Sequence, residues 1–259
     1  MITTVLLTIL SVIVVSLVSL IGVVTLLWKK KNLDDFLLIL VSLSAGTLFG
    51  GAFLHLLPEA VEREGFTLRI SMLLLGGVLV FFLLEKFIHW RHCHIHGIQS
   101  GKEMMEHRAH HPSHLAPLNV MGDALHNFVD GLVIAGSYFV SIPVGIATTI
   151  AVILHEIPQE FADFGVLLYS GLSKGKALLL NFLSAAVAII GAIVGLVIGT
   201  QSETFASFIL PFAAGGFVYI AGSNLIPELH KECGLKDSFW HFLVLVLGIA
   251  LMFGLKFID

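Results

Sequence analysis

Charged residues and cysteines are scarce in this sequence. Only 12% of its 259 residues are Asp, Glu, Lys or Arg, whereas 57% are hydrophobic and the mean hydropathy is +0.97. A soluble domain of this length cannot bury so much apolar surface, because the buried fraction grows slowly with size. The sequence has no basic patch of the kind that would indicate a nucleic-acid partner. The apolar runs are long enough to cross a bilayer and lack the alternation of a transmembrane β-barrel. We therefore predict an all-α polytopic membrane protein that contacts the lipid bilayer.

The apolar runs define one transmembrane domain over residues 1–259, with a histidine-rich loop at 91–116 inside it. The predicted spans are 3–28, 36–58, 70–90, 117–139, 143–170, 176–200, 205–228 and 238–257. The first span is not expected to be a cleaved signal peptide, because no positive charge precedes it.

Positive charges follow the first span, at Lys29, Lys30 and Lys31, and the positive-inside rule therefore assigns those lysines to the cytoplasm. With eight spans, both termini are then expected outside the cytoplasm, in the cell (inner or plasma) membrane. Cys93 and Cys233 fall on the predicted cytoplasmic side, where thiols stay reduced, so no disulfide is expected.

Two segments resemble each other. AGTLFGGAFLHLLPE (residues 45–59) and AGGFVYIAGSNLIPE (residues 214–228) begin with Ala-Gly and end with Pro-Glu at identical spacing. They lie in the second and seventh spans, which run in opposite directions. We therefore predict an inverted repeat of helices 1–3 and 6–8 around a central pair, helices 4 and 5, as is typical of secondary transporters.

The fourth predicted span carries a polar stripe on an otherwise apolar helix. Asp123, His126, Asn127 and Asp130 fall within an arc of about 100° when successive residues turn by about 100°. His126 and Asp130 are four residues apart, so their side chains can converge on one point.

The fifth predicted span repeats this pattern and contains a proline. His155 and Gln159 are four residues apart, Glu156 and Glu160 lie beside them, and Asp163 falls between the two rows. Pro158 lacks an amide hydrogen, and a membrane helix tolerates this only where nearby groups satisfy the loosened backbone or where it lines a cavity.

These two stripes have the chemistry of a metal site. Each ionisable group at membrane depth costs roughly 2.5–3.5 kcal/mol, so two facing stripes indicate function. Imidazoles with carboxylates suit a divalent transition metal, whereas Mg²⁺ and Ca²⁺ prefer oxygen ligands alone and Cu(I) prefers sulfur. Asp130 and Glu156 together supply the charge that a divalent cation neutralises. Because the ligands must be deprotonated, metal and protons should compete.

The motifs HNFVDG and HEIPQE, on consecutive spans, resemble the signature of the ZIP family of divalent-metal transporters. The likeness extends to AGTLFGGAFLHLLPEA, NFLSA, PFAAGGFVYIA, LIPELHKE and the histidine-rich loop, and so covers nearly the whole chain.

The resemblance implies an eight-helix homodimer that moves a metal into the cytoplasm by alternating access, with spans 1, 4, 5 and 6 sliding against a frame of 2, 3, 7 and 8. It implies Zn²⁺ first, with Fe²⁺, Mn²⁺, Co²⁺ or Cd²⁺ as other substrates. The metal is then the transported substrate, and no cofactor is expected. By position, the implied ligands are His126, Asn127, Asp130, His155, Glu156 and Gln159.

Two departures from the family pattern bear on this site. Gln159 stands where many relatives have histidine and others glutamate, and a neutral amide is the weaker ligand. Relatives with two adjacent metal positions place a carboxylate in span six, where this chain offers only Asn181 and Ser184. We therefore predict one dominant metal position.

Other polar residues are candidates for contacts along the ion pathway, although solvated helix ends explain several of them equally well. The accessory candidates are Asp123, Glu160, Asp163, His55, Glu59, Asn181, Glu228 and His230. For the histidine-rich loop two interpretations stay open: it captures metal weakly, or it is a disordered polar connector. The loop candidates are His92, His94, His96, His110 and His111.

Two other functions are alternatives to transport. HEIPQ approaches the HExxH motif of zinc metalloproteases, but Gln159 replaces the second histidine that would bind the metal. An intramembrane protease would need neither HNFVDG nor a repeat, so we predict no enzyme activity. A non-transporting membrane metal sensor is not excluded by the sequence, but no feature favours it.

Overall fold

The computed structural model describes residues 2–21, 30–95, 115–201, 204–230 and 234–257, and these are helical with short turns. The helices are α1 (Ile2–Val18), α2 (Lys30–Gly50), π1 (Gly51–Leu56), α3 (Leu57–Glu64), α4 (Leu68–Ile95), α5 (Leu115–Val140), α6 (Ile142–Tyr169), α7 (Lys174–Ala185), α8 (Val187–Gln201), α9 (Thr204–Tyr219), π2 (Ile220–Leu225), α10 (Ile226–Leu229) and α11 (Leu235–Leu255).

In the described part of the chain, seven helical stretches are long and apolar enough to cross a membrane. They are Ile2–Ile21, Phe36–Glu64, Leu68–Lys86, Ile142–Tyr169, Lys174–Gln201, Thr204–Leu229 and Ser238–Leu255. The prediction of an all-α polytopic membrane protein is therefore confirmed. Helix α5, the predicted fourth span, has 26 residues, but its polar stripe lowers its mean hydropathy. The count of eight spans stays a prediction.

Local chemistry explains where the central helices begin and end. Between α5 and α6, Ser141 is extended and its hydroxyl accepts a hydrogen bond from the amide of Val144, at 3.3 Å. This caps the first turn of α6, where Pro143 needs no hydrogen-bond acceptor. Gly171 turns the chain after α6 with a φ of 92°, a conformation that glycine adopts without strain.

The two repeat segments share an unusual local structure. Each contains a π-helical stretch at the matching place: Gly51–Leu56 in the first segment and Ile220–Leu225 in the second. Each stretch ends directly before the matched Leu57-Pro58 and Ile226-Pro227 pairs. A π-helical turn is rare and marks functional positions more often than an ordinary turn does.

Glycines at matched positions of the repeat let pairs of helices touch through their backbones. A Cβ on Gly46 of α2 would lie 2.1 Å from the carbonyl oxygen of Leu245 in α11. A Cβ on Gly215 of α9 would lie 1.9 Å from the carbonyl oxygen of Leu74 in α4. Only glycine allows such close helix packing, so the pairs α2–α11 and α4–α9 are locked in equivalent ways.

The central helices use the same device. A Cβ on Gly131 of α5 would lie 2.0 Å from the carbonyl oxygen of Ala188, and one on Gly191 of α8 would lie 2.0 Å from that of Phe128. Helix α1 joins this group through a hydrogen bond between the hydroxyls of Ser11 and Tyr138, at 2.9 Å. Helix α6 packs against α5 in the same group, and the polar stripes of the two helices meet.

Candidate metal site

Four side chains of α5 and α6 converge at the centre of the bundle. The Nε2 atoms of His126 and His155 are 3.2 Å apart. The Oδ2 atom of Asp130 lies 3.5 Å from the first nitrogen and 3.3 Å from the second. The Oε1 atom of Glu156 lies 3.3 Å and 3.4 Å from the same two atoms. The i, i+4 and adjacent spacings seen in the sequence thus bring two nitrogens and two oxygens together.

These four atoms have the spacing of a tetrahedral zinc site. Zinc binds imidazole nitrogen and carboxylate oxygen at about 2.0–2.2 Å, so neighbouring ligands of a regular tetrahedron lie about 3.3–3.6 Å apart. The five separations given above run from 3.2 to 3.5 Å. The four side chains, whose ligand atoms all lie within 4.8 Å of one another, are therefore close enough together to hold one metal ion.

The ring of His155 is held in the orientation that a metal ligand needs. Its Nδ1 lies 3.0 Å from the backbone carbonyl oxygen of Ala151. Since a carbonyl only accepts hydrogen bonds, Nδ1 carries a proton, and in the neutral ring Nε2 therefore keeps a lone pair that faces the cluster. The rings of Phe81 and Phe217 pack edge-on against His126 and His155 respectively, which further restricts both imidazoles.

The two carboxylates of the cluster need a positive partner. Asp130 and Glu156 are at most 1% exposed, and among the described residues neither carboxylate accepts a hydrogen bond. A buried charge without a partner costs several kcal/mol. The lone pair of His155 faces these oxygens, so bound cations, either a metal ion or protons, would stabilise the arrangement.

Two predicted ligands, Asn127 and Gln159, lie beside this cluster rather than in it. The amide nitrogen of Asn127 donates to Oδ1 of Asp123 at 2.9 Å, and that of Gln159 donates to the same oxygen at 3.3 Å. In this conformation both side chains direct their amide nitrogens to Asp123, and an amide nitrogen does not bind a cation.

A second group of carboxylates adjoins the first. One oxygen from each of Asp123, Glu156 and Glu160 lies within 4.8 Å of the others. The amide of Asn181 donates to Glu160 and so links α7 to this group. The group contains no imidazole, so it suits zinc less well than the first cluster does.

A cavity of about 370 Å³ leads from the cluster to one end of the bundle. His126 and His155 line its inner end, and Asp123, Gln159 and Asp163 line its wall. Its outer part is lined by Asn119 near the start of α5, by Glu85 in the second half of α4, and by Asn224 and Glu228 near the ends of π2 and α10. These ends share the side that the lysines predict to be cytoplasmic.

Apolar side chains fill the bundle on the opposite side of the cluster. The hydrophobic core there includes Leu48, Leu56, Ile134, Val152 and Phe217, each buried. The cluster is therefore reached from one end and packed against the core at the other.

The remaining predicted contacts are placed as follows. Nε2 of His55 lies 2.7 Å from the carbonyl oxygen of Met252, so this buried histidine joins π1 to α11. Glu59 pairs with Arg63 at 2.9 Å, at the far end of the bundle from the cavity. His230 follows α10 in a turn.

The predicted loop ligands have only partial structural counterparts. The backbones of His92 and His94 belong to the end of α4, whereas His96, His110, His111 and Cys233 lie outside the described residues.

One polar pair of the cavity was not predicted from the sequence. The hydroxyl of Tyr219 donates to Oε2 of Glu85 at 2.5 Å, which joins α9 to α4 beside the cavity. A carboxylate within the predicted third span, next to Lys86, was the only sequence signal of this pair, and it also suits a helix end near the membrane surface.

Comparisons with known proteins show the family to which the chain belongs. The family model described as "ZIP Zinc transporter" matches residues 4–116 and 92–256. The chain is 33% identical to "Zinc transporter ZIP13 homolog" of Drosophila melanogaster, over 87% of this chain and 79% of that one.

Two further relatives show similar identity. "Zinc transporter ZIP13" of Pongo abelii is 35% identical over 87% of this chain and 66% of that one. "Zinc transporter SLC39A7" of Mus musculus is 30% identical over 84% and 62%. Membership of a transporter family also confirms the prediction that the chain is not an enzyme. The chain belongs to the ZIP zinc transporter family and is an integral membrane transporter of metal ions.

Proposed function

We propose that the chain carries Zn²⁺ through the site formed by His126, Asp130, His155 and Glu156. The observation that supports this most directly is the near-tetrahedral spacing of two imidazole nitrogens and two carboxylate oxygens. Two histidines and two carboxylates give a net charge of −2, which Zn²⁺ neutralises. Fe²⁺, Mn²⁺, Co²⁺ and Cd²⁺ are alternative substrates of the same site.

One dominant metal position is proposed, as the sequence predicted. The first cluster has nitrogen ligands and oxygens without hydrogen-bond donors, whereas Asp123 and Glu160 already accept hydrogen bonds from neighbouring amides. Asn127 and Gln159 stay candidate ligands for a metal ion moving past Asp123, because both amides lie beside the cluster.

We propose that transport runs into the cytoplasm, with both termini outside it and the protein in the cell membrane. The direction is inferred from the family resemblance, and the cavity connects the site to the end that the lysine distribution predicts to be cytoplasmic. A carrier in this conformation would release its ion inward and would load it in a second conformation, open at the other end.

Two groups of helices have the packing expected of bodies that move against each other. Backbone contacts at glycines lock α2 to α11, α4 to α9, and α5 to α8. Between the groups the contacts involve side chains: a Cβ on Gly51 of π1 would lie 3.4 Å from the methyl of Ala151 in α6. Interfaces between side chains slide at lower cost than interlocked backbones do, so we propose that α1 and α5–α8 move against α2–α4 and α9–α11.

A homodimer is proposed from the family resemblance. Cross-linking in native membranes, followed by mass determination of the purified complex, would test this assembly. A purely monomeric population would contradict it.

Metal uptake into proteoliposomes tests the proposed function. Wild-type protein should accumulate Zn²⁺, whereas Asp130→Ala and His155→Ala should not, and Glu64→Gln provides a surface carboxylate control. Correct folding of each variant is checked by its elution as a single species in detergent. Zinc binding without any flux would instead favour the sensor, and flux unaffected by both alanine variants would exclude the proposed site.

A further inference from the structure

Pro158 leaves one backbone carbonyl of α6 without its helical donor. In a regular helix the amide of residue 158 would donate to the carbonyl of Leu154, four residues earlier, but proline has no amide hydrogen. This carbonyl directly precedes His155 and Glu156, two of the four residues in the metal cluster. An unsatisfied buried carbonyl is costly at membrane depth, so its partner matters to the site.

The missing donor comes from a different helix. The hydroxyl of Ser44 in α2 lies 2.5 Å from the carbonyl oxygen of Leu154. Ser44 is 1% exposed, so water does not compete freely for this bond. The bond joins α2 to α6 across the boundary between the two groups of helices described above.

This bond is one of two anchors on the turn that presents the metal ligands. The other is the hydrogen bond from Nδ1 of His155 to the carbonyl oxygen of Ala151. The first holds the backbone just before the ligands, and the second holds the imidazole. Loss of the first would let the backbone of the ligand turn shift relative to α5, which carries the other half of the cluster.

Ser44 also has an alternative acceptor. Its hydroxyl lies 2.7 Å from the carbonyl oxygen of Leu40 in its own helix. A hydroxyl carries one proton, so it donates to one of the two carbonyls at a time. If α6 moves away from α2, the Ser44 proton retains an acceptor, whereas the Leu154 carbonyl loses its donor.

A comparison of the two repeat segments relates the Ser44 hydroxyl to Pro158. Position 45 matches position 214, so Ser44 corresponds to Ala213, which is buried in α9. Helix α9 packs against α5, and α5 has no proline after Pro117. The hydroxyl is therefore present in the half of the repeat that faces the proline-containing helix.

We propose that Ser44 is a positioning residue for the metal site: its hydroxyl replaces, from the neighbouring helix, the amide hydrogen that Pro158 lacks, and so holds His155 and Glu156 in their binding geometry. This inference rests on the proposed zinc site. The bond is present in the conformation in which the cavity is open.

A double-mutant cycle between Ser44→Ala and Pro158→Ala tests the proposal. Alanine at 158 restores the amide donor, so removal of the Ser44 hydroxyl should then matter little. Two quantities are measured in detergent: the zinc dissociation constant, by competition with a chromophoric chelator, and the melting temperature without metal. Ser44→Ala alone should weaken zinc binding about tenfold, the scale expected for one buried acceptor left unsatisfied, and should lower the melting temperature.

Ser42→Ala is the matched control. Ser42 is also buried in α2, and its hydroxyl donates to the carbonyl oxygen of Leu38 in the same helix at 2.8 Å. It should leave the zinc dissociation constant unchanged.

Three results would overturn the proposal. In the first, Ser44→Ala has the same effect with Pro158 and with alanine at 158. In the second, Ser44→Ala and Ser42→Ala change zinc affinity equally. In the third, the cycle shows coupling in melting temperature but none in zinc affinity, which would make the bond structural only. If the wild type binds no zinc, the proposed function fails, and the cycle in melting temperature still decides whether Ser44 replaces the missing donor.

Discussion

Replacing Asp130 with asparagine should change stability in opposite directions with and without zinc. Asparagine has nearly the same shape but carries no charge. Without metal, Asp130 is a buried carboxylate that accepts no hydrogen bond from the described residues. Its neutralisation should therefore leave the metal-free protein as stable as the wild type or more stable.

With zinc the sign should reverse. Zinc at 100 times its dissociation constant stabilises a folded protein by about 2.7 kcal/mol, which corresponds to a rise of about 5–10 °C in melting temperature. Removing one partner of a buried charge pair costs about 3–5 kcal/mol, or roughly two to four orders of magnitude in affinity. At the same zinc concentration, the Asp130→Asn variant would be at most about half saturated, and its melting temperature should rise by about 1 °C or less.

The assay is thermal unfolding of purified protein in detergent, with chelator, with Zn²⁺ and with Mg²⁺. Mg²⁺ should not stabilise the wild type, because it requires octahedral oxygen ligands. Glu64→Gln, which changes an exposed ion pair with Arg69, should show the full zinc-dependent rise. An Asp130→Asn variant with the wild-type rise would refute the assignment of this carboxylate to the metal site. Equal destabilisation of that variant with chelator and with zinc would show a structural role instead.

Three further predictions follow from the packing, the ligands and the loop. Gly46→Ala should destabilise the protein by about 1–3 kcal/mol, because its Cβ would overlap the carbonyl of Leu245. Gly76→Ala should not, since no described atom lies within 4 Å of its Cβ. Equal melting temperatures of the two variants would contradict this prediction. Zinc affinity should fall as pH is lowered from about 8 to about 5.5, because protons compete for imidazole and carboxylate ligands; titrations that are flat across this range would contradict the ligand set. Deletion of residues 97–114, which lie outside the described residues, should alter regulation or metal release but preserve zinc uptake into proteoliposomes; its complete loss from correctly inserted protein would count against a peripheral role.

The spacing of polar residues predicted which side chains of one helix act together. His126 and Asp130 could be paired from the sequence because helical geometry places side chains four positions apart on one face. The convergence of His155 with its neighbour Glu156 could not, because adjacent side chains point about 100° apart on a helix. Ionisable side chains at membrane depth need partners, so the two polar stripes also predicted a metal site between the two spans.

The same periodicity could not decide which polar side chains of α5 and α6 belong to the cluster and which lie beside it. The family resemblance implies that Gln159 is a ligand, and this stays a prediction; in the structure its amide donates to Asp123. Asn127 does the same from α5. The choice between binding an ion and donating to a carboxylate depends on the distance and rotation between α5 and α6, which long-range packing sets.

The sequence by itself determined that this chain is an all-α membrane protein and a member of the ZIP family, and that the motifs HNFVDG and HEIPQE lie on consecutive predicted spans. These properties follow from hydropathy, helical periodicity and local motifs, which short-range chemistry governs. Only the tertiary structure decided that two imidazole nitrogens lie 3.2 Å apart and each lies 3.3–3.5 Å from two carboxylate oxygens, that a cavity reaches them from one end, and that Ser44 supplies the donor Pro158 lacks. Each of these joins residues on different helices, whose relative positions depend on backbone contacts at glycines far away in the chain.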